Sequence, residues 1–276
     1  MKKVLTVFLL LCAVNVAAQM IALHPPRWVF VSVPSWDVTD AQKGHYKCND
    51  DAANTTITDD SGQANNGTLG GGDNTVDISQ DPGKILKSLL MNGSDDYFNL
   101  DATWADVSSA TSGAILVWIR PTDVTQNDDV IWQFGDTDAN EQVRLLQAPT
   151  DGKINGHLRI AGTTQWKWES DNAVIANDTW YQVVIRHDGV AMTLYIDGAL
   201  VPITFSITTD KTKWFADLTG VDNIRFGCRN STGGGNSLFW GGQFDDIRIL
   251  NRDLTSDELA QLYNGGDGTE ADGGAL

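Results

Sequence analysis

Apolar and polar residues alternate along most of the chain at the two-residue period of a half-buried strand. The pattern is sharpest in "TWYQVVIRHDGVAMTLYIDGALVPI", residues 179–203. There Tyr181, Val183 and Ile185 share one face, and the two apolar runs flank Asp188-Gly189, a pair suited to the positive-φ positions of a tight hairpin turn. Asp197-Gly198 predicts a second reversal. "GAILVWIRP" and "DVIWQFGD" predict further strands closed by turn residues. "GKINGHLRIAG" sets Leu158 and Ile160 opposite His157 and Arg159. Many short strands joined by Gly- and Asp-rich turns predict an all-β sandwich of two antiparallel sheets.

One segment breaks the period. In "LTSDELAQLYNG", residues 254–265, Thr255 can cap a helix and Glu258 can reach back to close a capping box. Leu254 and Leu259 form a hydrophobic staple, Leu262 and Tyr263 extend the apolar stripe, and Gly265 supplies the stop. So short a helix is unstable alone and must dock on the sandwich, over an open edge or end of a sheet.

The ends read differently from the middle. Residues 1–18 have the basic start, apolar run and small residues of a cleavable export signal, too short a run for a membrane span. The expectation is a secreted or cell-surface protein with no membrane insertion after cleavage. Residues 19–44, with three prolines and three large aromatics, predict an extended arm packed on its own domain or on a neighbouring subunit. Residues 45–264 hold the sandwich, and 265–276, nearly all glycine and acid, predict a flexible tail. Cleavage leaves Cys48 and Cys228, either a disulfide or two separate buried thiols.

Charge narrows the partners. Nineteen Lys and Arg against 36 Asp and Glu give a net charge of −17, which argues against nucleic acid and anionic lipid. Only four acids are glutamate, so the excess lies in aspartate, a turn residue and metal ligand.

Several blocks together resemble a LamG-like jelly-roll domain of the concanavalin A-like lectin/glucanase superfamily. They are "YKCNDDAANTTITDDSGQANNGTL", "LLMNGSDDYFNL", "GAILVWIRPT", "DTWYQVVIRHDGVAMTLYIDGALV" and "FWGGQFDDIRILNRDLTSDELAQLYN", spanning residues 45–264 in the family's order. The resemblance implies a two-sheet jelly roll. It also implies a structural calcium, with Asp245 as carboxylate ligand and the Gly93 carbonyl as a further donor. The bland alternative has Asp245 capping backbone amides or pairing with Arg248. Glucanases of the superfamily carry two glutamates and an aspartate on one strand face; this chain has no such cluster, which argues against catalysis.

For a ligand, Trp166 and Trp168 lie two apart on one side of "TTQWKWES", with the polar His157 and Arg159 nearby. They are either a sugar platform or a core stripe. Two functions follow. One is a non-catalytic binding module for a glycan or cell-surface ligand. The other is a structural subunit of a layer, filament or virion that self-associates through the N-terminal arm.

Overall fold

The alternating runs become antiparallel strands that pair into two sheets. The computed structural model describes residues 18–23, 27–32, 35–72, 75–125, 129–138, 140–149, 151–231 and 235–275. The eight-stranded sheet runs Ala199–Val201, Met192–Ile196, Tyr181–His187, Gly113–Pro121, Gly241–Leu250, Lys87–Asn92 and Gln80–Pro82, with Gln42–Tyr46 also paired to Gly241–Leu250. The nine-stranded sheet runs Ile203–Thr208, Thr163–Ser170, Ile154–Ile160, Gln142–Gln147, Val130–Gly135, Asn223–Phe226, Tyr97–Asn99, Gly67–Gly70 and Thr56–Ile57. This is the expected jelly-roll sandwich.

The tight two-residue turn falls one hairpin later than expected. Ile196 pairs with Ala199 across Asp197-Gly198, where both central φ angles are positive, as a primed turn requires. Asp188-Gly189 instead opens a four-residue loop, closed by Asp188 Oδ1 accepting from the Val190 and Ala191 amides.

The main core lies between the sheets. Ile115, Val117 and Ile119 of one sheet bury with Phe134, Val143, Leu145 and Leu158 of the other. Trp166 and Trp168 are part of it, each 1% exposed. They pair with Leu158 and Gly156, whereas His157 pairs with Lys167, so the tryptophans and His157 occupy opposite faces of one sheet. The sugar-platform expectation for Trp166 and Trp168 is therefore corrected to a core stripe. Gly156 makes room for it: a Cβ there would lie 2.4 Å from Trp168 Cζ2. Gly156→Ala should cost about 1–3 kcal/mol by overpacking. It would be read as a lower urea midpoint with unchanged slope.

A second apolar cluster lies on the outer face of the eight-stranded sheet. Ala114, Leu116, Val184 and Leu250 are covered there by Trp36, Val38, Leu254, Leu259 and Leu262. The helix Ser256–Tyr263 is thus a third layer over a sheet face, not over an edge or end. Its capping box is present, with Thr255 Oγ1 accepting from the Glu258 amide and Glu258 Oε2 from the Thr255 amide.

Both predicted end segments need correction. Gln42–Tyr46 is a sheet strand, so the arm cannot extend to residue 44. Ser35–Asp37 pairs with Gly273–Ala275, so the glycine-rich end is a strap rather than a free tail. Its composition hides this, because strand pairing needs only backbone and one aspartate side chain does the anchoring. Ahead of Ser35, Ala18–Leu23 and Arg27–Ser32 pair with each other. Apart from Ala18, the expected export signal lies outside the described residues. Among the described residues no helix is long and apolar enough to cross a membrane.

Cys48 and Cys228 are two separate buried thiols, and the disulfide expectation is corrected accordingly. Cys48 follows the strand Gln42–Tyr46 of one sheet and Cys228 follows Asn223–Phe226 of the other. Burial pushes both thiols up, Cys228 to about 12.

Candidate functional site

The outer face of the nine-stranded sheet gathers polar and basic residues from five strands. Register fixes one rung as Arg225, Gln133, Arg144, His157 and Lys167. A second, two residues along, runs Asn223, Gly135, Gln142, Arg159 and Thr164. Period two places the first rung outward, and in the second it does so for all but Thr164, which shares the parity of Trp166 and comes opposite Arg159 through a register shift. Neither rung contains a carboxylate.

Strand Arg229–Ser231 of a short hairpin adds Arg229 beside this face. Gln133 ties the hairpin down by donating from Nε2 to the Asn230 carbonyl at 2.6 Å. Arg225 is held from the far side: its Nη1 donates to Asp101 Oδ1 and its guanidinium lies 5.6 Å from the Tyr97 ring centroid. Sunk in the face are polar atoms with no hydrogen-bond partner among the described residues, namely Gln133 Oε1, Gln142 Oε1, Arg225 Nε and Arg229 Nε.

His157 sits among the cations. Burial first, then Arg144, Lys167, Arg159 and Arg229, pull its pKa down to about 3, so the ring is neutral. Its Nδ1 accepts from Arg144 Nε at 3.1 Å, which places the ring proton on Nε2. His157 and Arg159, expected as ligand-binding residues, are together on this face. Gln133, Arg144, Arg225 and Arg229 were missed. Outward alternation with Val143 was a readable signal for Arg144, but joining Arg225 and Arg229 to it needs the strand register.

Asp245 and Gly93 are not brought together. Gly93 packs on Gly241, and Asp245 lies four residues further along that strand, roughly 13 Å at strand rise. A bulge also moves Asp245. Leu116 pairs with Arg248 and Trp118 with Asp245, and Asp246 takes a φ of +42°. Phe244, Ile247 and Ile249 therefore face the core while Asp245 points outward, opposite to the face that plain alternation with Ile247 and Ile249 predicts. Asp245 Oδ2 accepts from the Ile85 amide at 2.7 Å, and Oδ1 is buried without a partner among the described residues. That orphaned oxygen fits one calcium ligand; the Gly93 carbonyl does not fit as another. Among the described residues no group of three or more His, Cys, Asp and Glu side chains is arranged to hold a metal.

The glutamates are engaged separately. Glu141 accepts from the Ala161 and Thr219 amides, Glu169 pairs with Lys153, Glu258 closes the helix cap, and Glu270 accepts from Asn49.

Fold and family agree. The family model described as the concanavalin A-like lectin/glucanases superfamily matches residues 92–260, and the chain belongs to that family. Solved structures with this fold include carbohydrate-binding modules. The CBM40 of the Ruminococcus gnavus IT-sialidase, bound to alpha2,3 sialyllactose, is 18% identical, with 64% of this chain and 95% of that one covered at a TM-score of 0.54. Domain 4 of AbnA, a GH43 extracellular arabinanase from Geobacillus stearothermophilus, in complex with arabinotriose, is also 18% identical. It covers 80% of this chain and 97% of that one, at a TM-score of 0.54. The receptor-binding domain of botulinum neurotoxin C/D mosaic serotype is 18% identical, over 83% of this chain and 52% of that one, at a TM-score of 0.58. At these identities the likeness is one of fold. A search of curated protein sequences found no match.

Proposed function

We propose that the chain is a secreted, non-catalytic glycan-binding module whose ligand lies on the outer face of the nine-stranded sheet. The observation that carries this is the double rung of outward polar side chains with unpartnered donors and acceptors beneath it. Saccharide hydroxyls are met by such mixed donor and acceptor sets. The scattered roles of the four glutamates support binding rather than hydrolysis, since a retaining pair needs carboxylates about 5–5.5 Å apart. The fold's use by modules bound to sialyllactose and arabinotriose supports the same reading. A structural calcium belongs to this proposal through Asp245 Oδ1 alone, completed by main-chain or water oxygens.

The test is a glycan array with the chain spanning residues 19–276. Saturable binding that is lost in His157→Ala and kept in Trp166→Phe supports the assignment. Binding that survives any change on the His157 face removes it.

Self-association is the competing reading, and one observation favours it. The strands Ala18–Leu23 and Arg27–Ser32 pair only with each other among the described residues. Trimming must stop at residue 34, because Ser35–Asp37 holds the C-terminal strap. A trimmed chain that keeps its array hits is a binding module. One that loses an ordered assembly, with a blank array, is a structural subunit.

A further inference from the structure

We infer that the paired strands Ala18–Leu23 and Arg27–Ser32 of one copy add to the edge strand Ile203–Thr208 of a second copy; the inference rests on the self-association reading above and is compatible with glycan binding. The edge carries it. Ile203–Thr208 ends the nine-stranded sheet, paired with Thr163–Ser170 on one side and with no strand among the described residues on the other. At six residues it is longer than Thr56–Ile57, Ala199–Val201 and Gln80–Pro82, which end the sheets elsewhere. The Asp171 amide donates to the Pro202 carbonyl, so alternation turns the N–H and C=O of Ile203 and Phe205 away from the ladder. Among the described residues no other backbone group bonds to them there.

An edge of this length is normally blunted by charge or by proline. Residues 198–209 hold no charged residue, and Pro202 stands ahead of the strand rather than in it. Leu200 and Ile207, two of the exposed large apolar side chains, lie within this stretch. A bulge at Ser206, where Trp168 pairs with Phe205 and Lys167 with Ile207, bends the strand without covering it. The donor matches in length and charge. Its strands have six residues each, and a two-stranded ribbon is marginal until a third strand joins it. Residues 19–34 contain Arg27 and no Asp or Glu, so they escape the repulsion between two copies of net charge −17. Reach decides whose edge is used. Ser32 is three residues from Ser35, about 11 Å at full extension. Trp36 lies beyond the outer face of the eight-stranded sheet, so the plane of the nine-stranded sheet is two layer spacings away, roughly 20 Å. Either strand of the pair, once added to that sheet, puts Ser32 in its plane. The edge of the same chain is therefore out of reach, and a second copy supplies it.

The experiment is size exclusion with light scattering on the chain spanning residues 19–276, over a range of concentrations. Association that grows with concentration is expected. Two variants separate donor from acceptor. Trimming to residues 35–276 removes the donor. Thr204→Lys with Ile207→Glu charges the acceptor, and each new charge lies across the ladder from an opposite one, Glu169 and Lys167, which keeps the fold. An unchanged urea midpoint checks this; if it falls, Thr204→Lys alone, on an exposed side chain, takes its place. Each variant by itself should run as a monomer. Mixed, they should form a one-to-one complex, because one still carries the strands and the other the open edge. A charged-edge variant that associates like the wild type overturns this acceptor and keeps self-association through another surface. Association that survives trimming overturns the donor, and a mixture that stays monomeric overturns the pairing of the two. A wild-type chain that is monomeric at every concentration removes the self-association reading and this inference with it.

Discussion

Arg248→Met is expected to cost about 3–5 kcal/mol and to release the C-terminal strap. Arg248 is fully buried on the outer face of the eight-stranded sheet. Its Nε donates to Asp246 Oδ1 at 3.1 Å, Nη1 to Gln42 Oε1 at 3.0 Å and Asp272 Oδ1 at 2.7 Å, and Nη2 to the Thr269 carbonyl at 2.8 Å. His45 closes the network, its Nε2 2.8 Å from Asp246 Oδ1. Its Nδ1 lies 3.2 Å from Asp272 Oδ1, an ionic contact outside good hydrogen-bond geometry. Methionine fills the volume but leaves Asp246 buried with half its compensation, and a buried charge stripped of its partner is the costly case. Strand Gly273–Ala275 then loses the anchor that Asp272 provides. Urea unfolding should show the loss in stability, and hydrogen exchange should show early deprotection of residues 269–275. A variant that keeps native exchange there would show that strand pairing alone holds the strap.

The same clamp has a pH window whose sign follows from its members. Burial opposes the charge on Asp246 and Asp272, yet Arg248 and His45 hold both carboxyls below their usual range. Their stabilisation is present above the unfolded carboxylate value of about 3.9 and is lost as pH falls through the lower folded values. Burial also opposes protonation of His45, but its hydrogen bond to Asp246 and contact with Asp272 raise it overall. Its share is present below the unfolded value of about 6.5 and is lost as pH rises through the folded one. Protection of the strap, its exchange taken relative to the intrinsic amide rate at each pH, should therefore be greatest between roughly pH 4 and 6.5.

The parts of this molecule that sequence makes legible are those fixed by local period. Alternation in residues 181–185 and the Asp197-Gly198 pair specify strands and turn without outside help. Thr255 and Glu258 specify a helix start, because both halves of the box lie within four residues. Period two also places Trp166 and Trp168 on one side, but cannot say which side is inside. That depends on Leu158 across the ladder and on the second sheet beyond it. The cationic face is a property of register across five strands, so only His157 and Arg159, neighbours on one strand, were visible beforehand. At Asp245 the failure is a single residue: the positive φ of Asp246 inserts a bulge, and everything before it changes face. The strap was hidden because an acidic, glycine-rich end has nothing apolar to bury, whereas Asp272 is held by a buried arginine 24 residues earlier in the chain.

Asp245→Asn is expected to stabilise the metal-free protein at pH 8–9, on the order of 3–5 kcal/mol, while changing little at pH 4. Burial above all, with the neighbouring Asp246 charge, pushes the Asp245 carboxyl up to about 8, and the Ile85 amide offsets only part of this. The unfolded carboxyl titrates near 3.9, so between about pH 4 and 8 the folded state binds a proton that the unfolded state has released. Stability must then fall as pH rises through that window, by up to about 1.4 kcal/mol per unit. Asparagine can still accept from the Ile85 amide and carries no proton to lose, so the slope due to this site should vanish. Thermal unfolding of both proteins across pH 4–9 in chelator measures the difference. Repeating it with calcium tests the metal. An ion on Asp245 Oδ1 favours the carboxylate, so it should flatten the wild-type slope and raise Tm at pH 8, with no response from Asp245→Asn. A wild-type slope that calcium leaves unchanged would identify Asp245 as a buried, protonated acid and remove calcium from the proposed function.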